Sequence, residues 1–422
     1  MIAKTPPMGW NSWDCYGAAV TEEIVRANAE FMAKKLKQFG WEYVVVDIQW
    51  YEPTAENHYY HNFTELCMDD LSRLIPAVNR FPSAANGAGF APLAEYVHSL
   101  GLKFGIHIMR GIPRQAVHQN SPIKNSKMTA RQVSTQSSIC DWNTDMYGVN
   151  CDIEGGQDYY NSLFELYASW GVDFVKVDDI CRGYPVAEVE AISKAIKHCG
   201  RDMVLSLSPG PARLDMAEHM KEHANMWRIT DDFWDRWDLL YNMFERAEKW
   251  CIHSGVTKTH GYWPDADMLP IGPINQVYGK ENRTKFTQNE QRTMLTLWCI
   301  MRSPLMIGGD MTGFDDFTMS LLNNSELIKV LQCTHSAHPL YRKKTEKTEI
   351  CTWMATYENG DFCIALFNLG EVETEVTAVL PFAEEYDCYD IWNKKDFVIS
   401  DGCISKNLEK HSAAMYRITK RR

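Results

Sequence analysis

The chain lacks the features of several large protein classes. It has no run of 18 apolar residues, which argues against a membrane-spanning helix. Positive charge is in the minority, because 43 Lys and Arg face 55 Asp and Glu, so nucleic acid and anionic membranes are poor partners. The opening MIAKTPPMGW has neither the charged start nor the apolar core of a signal peptide. We therefore expect a cytoplasmic protein with no nucleic acid and no membrane as a partner.

Signals for metals, disulfides and phosphate cofactors are also missing. The 13 cysteines, scattered from Cys15 to Cys403, form no C-x-x-C pair and show no His/Cys ligand spacing. This favours reduced, buried thiols over a disulfide framework or a zinc site. No glycine-rich phosphate turn follows the first predicted strand. The sequence therefore predicts no metal and no cofactor.

Short apolar strands alternate with helical stretches over the first three quarters of the chain. Several helical stretches end in glycine and lead into EYVVVDI, LKFGIHI, VDFVKVD and DMVLSLS. The segments MGWNSW, MWRIT, GYWPDADM and SPLMIGGD complete a set of eight strands. Eight such units predict an α/β protein with a (β/α)8 TIM barrel, and the missing phosphate turn disfavours a doubly wound open sheet.

The pattern changes after the helix-like FTMSLLNNSELIKVLQ. Short alternating segments, among them EVTAVLPF, YDCYDIW and SAAMYRIT, are divided by turn signals such as ENGD. They indicate antiparallel strands of a small sandwich. We expect the catalytic barrel to occupy residues 1–331 and a C-terminal antiparallel β-sandwich domain to occupy residues 332–422.

Charged and polar side chains stand at the ends of most of the predicted barrel strands. They are Asp47, His107, Lys176, Asp178, Arg228, Asp231, Asp232, Asp265 and Asp267. Any one of these acids alone is most simply a loop or helix-capping residue. As a set they converge on the mouth of the barrel, where they repel one another unless chemistry or a substrate uses them. The sequence therefore predicts an active site at this mouth.

Paired carboxylates without a metal or phosphate motif are typical of glycoside hydrolysis. One acid attacks or stabilises the anomeric carbon, and the other protonates the leaving oxygen. Lys176 and Asp178 share a strand face because side chains alternate, so we expect Lys176 to keep Asp178 ionised. The apolar residues of WRITDDFWDRW favour a raised pKa in the acid. Tryptophans recur beside the acids, where sugar stacking competes with an ordinary core role.

Motifs in a fixed order carry a resemblance to a known family. TPPMGWNSW, an Asp closing the second strand, LKFGIH, FVKVD, WRITDD and WPDADML resemble glycoside hydrolase family 27, the α-galactosidase and α-N-acetylgalactosaminidase family. The resemblance spans the barrel and continues into the C-terminal β domain. It implies a retaining double displacement through a covalent glycosyl-enzyme intermediate, without a cofactor.

The same resemblance implies roles for individual residues. The family's Lys-aromatic-Asp motif falls on Lys176, Val177 and Asp178, which makes Asp178 the nucleophile. The family's Arg, three residues, Asp pattern falls on Arg228 and Asp232, which makes Asp232 the acid/base. Trp13 matches a tryptophan that packs on the sugar. The residues that match hydroxyl-binding positions are Asp47, Lys176, Arg228 and Asp267.

Three substrate-binding positions depart from the family pattern. Ile48 replaces the second of two consecutive acids after the second strand, which changes how the C4 to C6 side of the sugar is read. His107 replaces the usual tyrosine, and Ser208 leaves room for an acetamido group at C2. Such changes redirect substrate choice by about 1–3 kcal/mol. The long insertion after the third strand is expected to form part of the binding wall.

The leading interpretation is an exo-acting, retaining α-glycosidase for terminal galactose-type sugars, with α-galactosidase first. The α-N-acetylgalactosaminidase, β-L-arabinopyranosidase and α-glucan-cleaving activities share its chemistry and stay open. A non-catalytic carbohydrate-binding protein is a second class, against which the presence of both acids argues. A metal-dependent barrel hydrolase is a third class, and the sequence lacks the His-x-His set at the strand ends that it would need. The partner is an oligosaccharide or glycoside, and a homo-oligomer stays open because no interface can be selected.

Overall fold

Eight parallel strands form a barrel in the computed structural model, which describes residues 1–56, 58–275, 282–381 and 385–421. The strands, from first to eighth, are Met8–Asn11, Tyr43–Val46, Lys103–Met109, Phe174–Asp178, Val204–Leu207, Met226–Arg228, Gly261–Asp265 and Leu305–Ile307. Each pairs with the next up to the seventh, and the eighth pairs with the first. A parallel bridge between Leu269 and Ile307 completes the ring. The predicted eight-stranded barrel is confirmed.

A helix follows each of these strands on the outside of the barrel. The helices are Glu22–Lys35, Ala91–Ser99, Glu154–Ser169, Val186–His198, Ala217–His223, Trp237–Trp250, Gln288–Met301 and Ser325–Cys333. Shorter helices lie at Trp13–Tyr16, Arg114–Gln119, Ala130–Val133 and Asp316–Leu322. Glycines with positive φ carry the chain from helix to strand, as the sequence predicts, at Gly40, Gly101, Gly171 and Gly200. Among the described residues, no helix is both long and apolar enough to cross a membrane.

The two faces of the barrel strands pack into different clusters. Val44 and Val46 belong to the large core shared with the outer helices. The alternate residues Tyr43, Val45 and Phe174 pack with one another in a separate cluster inside the barrel. Because side chains alternate along a strand, residues 176 and 178 continue the inward face of Phe174 toward the barrel mouth.

The insertion after the third strand has a structure of its own. Three short strands, Ile112–Pro113, Met146–Val149 and Ser134–Ile139, form an antiparallel sheet beside the barrel mouth. Two other short pairs lie in the barrel loops, where Gly255–Val256 pairs with the seventh strand and Pro273–Ile274 pairs with Asn282–Arg283.

The C-terminal domain consists of two antiparallel sheets, which confirms the predicted sandwich. The larger sheet contains Thr334–Lys344, Glu349–Tyr357, Phe362–Asn368, Ala413–Lys420, Tyr386–Asp390 and Lys395–Ile399, in this spatial order. The smaller sheet pairs Thr374–Val379 with Cys403–Leu408. The last barrel helix runs to Cys333, and the first sandwich strand begins at the next residue. The expected boundary between residues 331 and 332 therefore falls in the last turn of that helix.

Candidate active site

A cavity of about 320 Å³ opens at the carboxyl ends of the barrel strands. Most of the predicted site residues line it: Trp13, Asp47, Lys176, Asp178, Arg228, Asp232 and Asp267. The other three predicted residues, Ile48, His107 and Ser208, are buried behind this lining. The barrel therefore brings together groups that lie up to about 250 positions apart in the chain because strand ends meet at one mouth.

Asp178 ends the fourth strand and accepts hydrogen bonds at both carboxylate oxygens. His107 Nε2 lies 3.0 Å from Oδ2, and Ser208 Oγ donates to Oδ1 over 3.1 Å. The backbone N–H of Asp179 also donates to Oδ1 over 3.1 Å. Burial raises the pKa of Asp178, but the hydrogen bond and charge of His107 and the charge of Lys176 outweigh it, so the pKa lies below its usual range. The carboxylate is therefore ionised at neutral pH, as a nucleophile requires.

The histidine at position 107 has a defined orientation. A carboxylate only accepts hydrogen bonds, so His107 donates through Nε2–H. Its Nδ1 is buried and has no hydrogen-bond partner within the described part of the chain. His107 thus supports Asp178 from behind rather than facing the cavity, and the same holds for Ser208. The sequence predicts that Ser208 leaves room beside C2 of the sugar. Ser208 does not line the cavity, and its neighbour Pro209 lines it instead.

Lys176 is paired mainly with Asp47. Its Nζ donates to Asp47 Oδ2 over 3.0 Å, and Asn11 Nδ2 donates to the same oxygen over 2.8 Å. Burial raises the pKa of Asp47, but Lys176 and His107 together hold it well below its usual range. Lys176 lowers the pKa of Asp178, as expected, but the hydrogen bond from His107 lowers it more.

Asp232 occupies very different surroundings in the loop after the sixth strand. Its side chain is 64% exposed, and Oδ1 lies 3.0 Å from Arg228 Nη2. The same guanidinium nitrogen lies 2.9 Å from Asp267 Oδ2. The sequence predicts apolar surroundings for this acid. This prediction is wrong, because its carboxylate faces solvent. Its neighbour Asp231 pairs instead with Arg182 over 2.5 Å, so the two adjacent acids are not equivalent.

Two further acids at the cavity floor are buried. Burial raises the pKa of Asp267, and the charge of Asp232 adds to this effect. Burial also raises the pKa of Asp14, which lines the cavity and was not predicted. Asp14 follows Trp13 in the MGWNSWD segment, but no strand-end argument marks it, because it lies in a short helix after the first strand. The cavity thus contains acids with both lowered and raised pKa values.

Aromatic side chains form one wall of the cavity. The ring of Trp13 stacks on Tyr60 with centroids 5.8 Å apart and meets His58 edge to face at 5.1 Å. Trp142, from the long insertion, contacts Tyr60 with centroids 5.5 Å apart, so the insertion contributes to the wall as expected. Flat aromatic surfaces of this kind suit the apolar face of a sugar ring. The tryptophans that recur beside the acids but belong to the core are Trp50, Trp227 and Trp263.

Ile48 is buried immediately behind the second strand end. Its side chain is 1% exposed and packs in the large hydrophobic core, while its backbone N–H donates to Asp47 Oδ1 over 2.8 Å. It therefore offers the cavity no carboxylate and no other side-chain acceptor.

Comparisons with known proteins agree with this fold. A family model described as alpha galactosidase A matches residues 5–152 and 143–333, and one described as alpha galactosidase C-terminal beta sandwich domain matches residues 347–418. An α-galactosidase from Cyamopsis tetragonoloba is 27% identical over 100% of this chain and 87% of its own length. An α-galactosidase from Coffea arabica is 28% identical over 99% of this chain and 94% of its own length.

A solved structure is considerably more similar. The crystal structure of a β-L-arabinopyranosidase from Geobacillus stearothermophilus, a family 27 enzyme, is 54% identical and superimposes with a TM-score of 0.94 over 99% of this chain and 97% of the other. The barrel, its strand-end cavity and these relatives define a glycoside hydrolase. More particularly, because the family models match nearly the whole barrel and most of the sandwich, the chain belongs to glycoside hydrolase family 27.

Proposed function

We propose that this enzyme removes terminal β-L-arabinopyranosyl and α-D-galactosyl residues by a retaining double displacement, with the arabinopyranoside preferred. One observation carries the mechanism: the two candidate carboxylates of the cavity lie in opposite surroundings. Asp178 is 15% exposed, hydrogen-bonded and held ionised, whereas Asp232 is 64% exposed and paired with Arg228. Carboxylates held in such different environments take different roles in glycosidases.

In the first step, a carboxylate oxygen of Asp178 attacks the anomeric carbon. The bond to the leaving oxygen breaks as Asp232 transfers its proton to that oxygen, which leaves a glycosyl ester on Asp178. Arg228 holds Asp232 in place over 3.0 Å.

In the second step, Asp232 acts as a base. It takes a proton from water, the resulting oxygen attacks the anomeric carbon, and Asp178 leaves as a carboxylate. His107 and Ser208 stabilise this departing carboxylate because each lies within hydrogen-bond distance of one of its oxygens. Two inversions at one carbon give net retention of configuration.

The buried Ile48 supports the preference for arabinopyranosides. β-L-Arabinopyranose has the ring configuration of α-D-galactose but carries hydrogen in place of the hydroxymethyl group at C5. A polar group built to bind that hydroxyl is left unpaired by the smaller sugar and so discriminates against it. Ile48 stands where the family usually has an acid, so this penalty is removed.

The sequence identities also favour the arabinopyranoside over the galactoside as the preferred substrate. The Geobacillus β-L-arabinopyranosidase shares 54% of its residues with this chain, whereas the plant α-galactosidases share 27% and 28%. A variant of the Geobacillus enzyme has also been solved in complex with arabinose, and its structure covers 100% of this chain. We therefore rank the arabinopyranosidase activity before the α-galactosidase activity, which the sequence alone puts first.

The test is hydrolysis of four nitrophenyl glycosides: β-L-arabinopyranoside, α-galactoside, α-N-acetylgalactosaminide and α-glucoside. We expect kcat/KM for the arabinopyranoside to exceed that for the galactoside by about 10-fold or more. The Asp178→Asn variant, purified in parallel, controls for host glycosidases. Faster hydrolysis of the N-acetylgalactosaminide would contradict the proposed specificity. No hydrolysis of any of the four would favour the carbohydrate-binding alternative. An inverted first product by ¹H NMR would refute the double displacement.

A further inference from the structure

We propose that Glu190, His219 and His223 form a binding site for a divalent transition metal ion on the outside of the barrel. One side-chain ligand atom from each residue lies within 4.8 Å of the other two. Glu190 belongs to the helix Val186–His198, and both histidines belong to the neighbouring helix Ala217–His223. None of the three lines the active-site cavity, so the metal site is separate from the catalytic machinery.

The two histidines face the same way because they are four positions apart on one helix. Their rings are nearly parallel, with centroids 4.2 Å apart and an angle of 29° between the planes. Glu190 Oε1 lies 3.5 Å from His219 Nε2. Ligand atoms about 2.0–2.1 Å from one tetrahedral ion lie roughly 3.4 Å from each other, which this pair already satisfies. The third ligand atom, from His223, lies within 4.8 Å of the other two.

The contacts around the cluster leave suitable ligand atoms available. The hydroxyl of Tyr184 lies 2.7 Å from His219 Nδ1, and a contact of this kind orients a metal-binding imidazole and leaves Nε2 to the ion. Lys194 Nζ donates to Glu190 Oε2 over 3.1 Å, which leaves Oε1 for the ion. His223 Nδ1 is buried without a hydrogen-bond partner in the described part of the chain.

The chemistry of the three groups selects the class of ion. Two imidazoles and one carboxylate suit Zn²⁺ and its neighbours Co²⁺ and Ni²⁺, and water completes the coordination. The single negative charge of Glu190 complements a divalent cation.

A metal ion in this site would join two outer helices, and one of its ligands contacts the loop after the fourth strand. Tyr184 contacts His219, and Arg182, two residues earlier in the same loop, lines the active-site cavity. An ion that binds only the folded protein stabilises it in proportion to its affinity. The site is therefore structural, and the hydrolytic steps described above do not require it.

Part of this site is visible in the sequence. HMKEH has a His-x-x-x-His spacing, which places both imidazoles on one face of a helix. The third ligand lies 29 positions before His219, on another helix, and only the packing of the two helices brings it near.

Zinc titration of the full-length enzyme tests the proposal. The protein is stripped with a chelator, dialysed, and titrated with Zn²⁺ in competition with a chromogenic chelator. We expect one ion bound with micromolar or tighter affinity. The double variant His219→Gln/His223→Gln should lose this site, with at least 100-fold weaker binding. His198→Gln, which removes an exposed histidine from the Glu190 helix, is the matched control and should bind like the wild type. Circular dichroism verifies that all variants are folded.

Two further measurements separate this site from adventitious binding. Co²⁺ should give ligand-field absorption without thiolate charge-transfer bands in the wild type and not in the double variant, because no cysteine is a ligand. Zn²⁺ should raise the Tm of the wild type by several degrees and leave that of the double variant unchanged. Equal Zn²⁺ stoichiometry and affinity in the two proteins would overturn the proposal, and so would thiolate charge-transfer bands from the bound Co²⁺.

Discussion

Asp178 and Asp179 differ sharply although one peptide bond joins them. Asp178 continues the inward face of the fourth strand and lines the cavity. Asp179 has a φ of 57° and its Oδ2 accepts from Arg110 Nη2 over 2.7 Å, away from the barrel mouth. Burial raises the pKa of Asp179, whereas the pKa of Asp178 is lowered. The pair therefore provides an internal comparison for the proposed nucleophile.

Asp178→Asn should lower kcat/KM by on the order of 10³-fold or more, because the amide cannot form the glycosyl ester. The fold should persist, since the amide has the same shape. Asp179→Asn should keep kcat/KM within about 10-fold of the wild type, because its side chain lies outside the cavity. Steady-state kinetics with a nitrophenyl glycoside measures both. A folded Asp178→Asn enzyme with substantial turnover would remove this residue from the nucleophile role.

Asp232→Asn should affect substrates according to their leaving groups. Loss of the acid should slow an unactivated disaccharide by on the order of 10²–10⁴-fold, but slow the glycosylation step with a dinitrophenyl glycoside much less, because that leaving group needs no proton. Added azide should restore turnover of the dinitrophenyl glycoside, since it attacks the intermediate without a base. Asp231→Asn, on an exposed neighbour paired with Arg182, is the control. Equal losses on both substrates would argue against Asp232 as the acid.

At the residue scale, alternation and strand-end position predict which acids face the mouth. They predict Lys176 and Asp178 on one face, because the strand period is fixed. They do not predict that His107 donates to Asp178, since that bond depends on how the third and fourth strands register in space. Tyr60 and Trp142 are also beyond sequence reasoning, because their positions depend on long loops without a periodic pattern.

At the scale of the elements, the backbone after the eighth strand passes close to Asp14, an acid that lines the cavity. Gly308 follows this strand, and a Cβ added there would overlap the buried carboxylate of Asp14. The absence of a side chain therefore lets the backbone after the eighth strand pass beside an acid that follows the first strand. This contact helps to set the shape of the cavity floor.

Gly308→Ala should lower the free energy of unfolding by about 1–3 kcal/mol, because a buried carboxylate has to shift. KM should rise as well, since Asp14 lines the cavity. The matched control is Gly183→Ala, where an added Cβ meets nothing within 4 Å. Its effect should stay within about 0.5 kcal/mol. Urea unfolding of the three proteins measures the difference, and equal stability of the two variants would contradict this account of Gly308.

The regular elements of the barrel are the most predictable part of the fold. Gly40, Gly101, Gly171 and Gly200 mark helix ends in the sequence and adopt positive φ in the structure. The small sheet in the insertion is not predictable in the same way. Its strand Ser134–Ile139 is mostly polar and has no buried residue, so no hydrophobic alternation sets its register.

At the scale of the whole molecule, a set of side-chain contacts connects the barrel to the sandwich. Trp237 of the barrel stacks on His411 of the sandwich, with centroids 3.5 Å apart and 12° between the planes. His411 Nδ1 lies 2.8 Å from Glu290 Oε1, and Nε2 lies 3.0 Å from Glu371 Oε1. Glu290 belongs to the barrel helix Gln288–Met301, so one histidine connects both domains. The sequence predicts two domains but not this contact, because the capping box of Thr287 and Glu290 marks only a helix start and His411 belongs to no motif.

His411→Gln should reduce the free energy of unfolding by about 1–2 kcal/mol near neutral pH. Burial raises the pKa of Glu290, but the hydrogen bonds from His411 and Thr287 bring it below its usual value. A lowered carboxyl pKa stabilises the fold above the unfolded value of about 4.3 and loses this effect as the pH falls through the folded value. The wild-type advantage should therefore shrink between about pH 5 and pH 3.

Urea unfolding at several pH values checks this expectation. His335→Gln, on an exposed histidine of the sandwich, is the control and should match the wild type within about 0.5 kcal/mol at every pH. A His411→Gln deficit that stays constant through the acidic range would show that Glu290 is not the group whose ionisation matters.

The closure of the barrel bears on how the enzyme is made. Trp10 Nε1 donates to the carbonyl of Gly309 across 299 positions, and the first strand has no second barrel neighbour until the eighth strand pairs with it. Contacts of such long range are formed late, because most of the chain has to be present before the two strands can meet. A ribosome therefore has to deliver nearly the entire barrel before the catalytic mouth exists, and a nascent chain stopped short of the eighth strand would have no competent site.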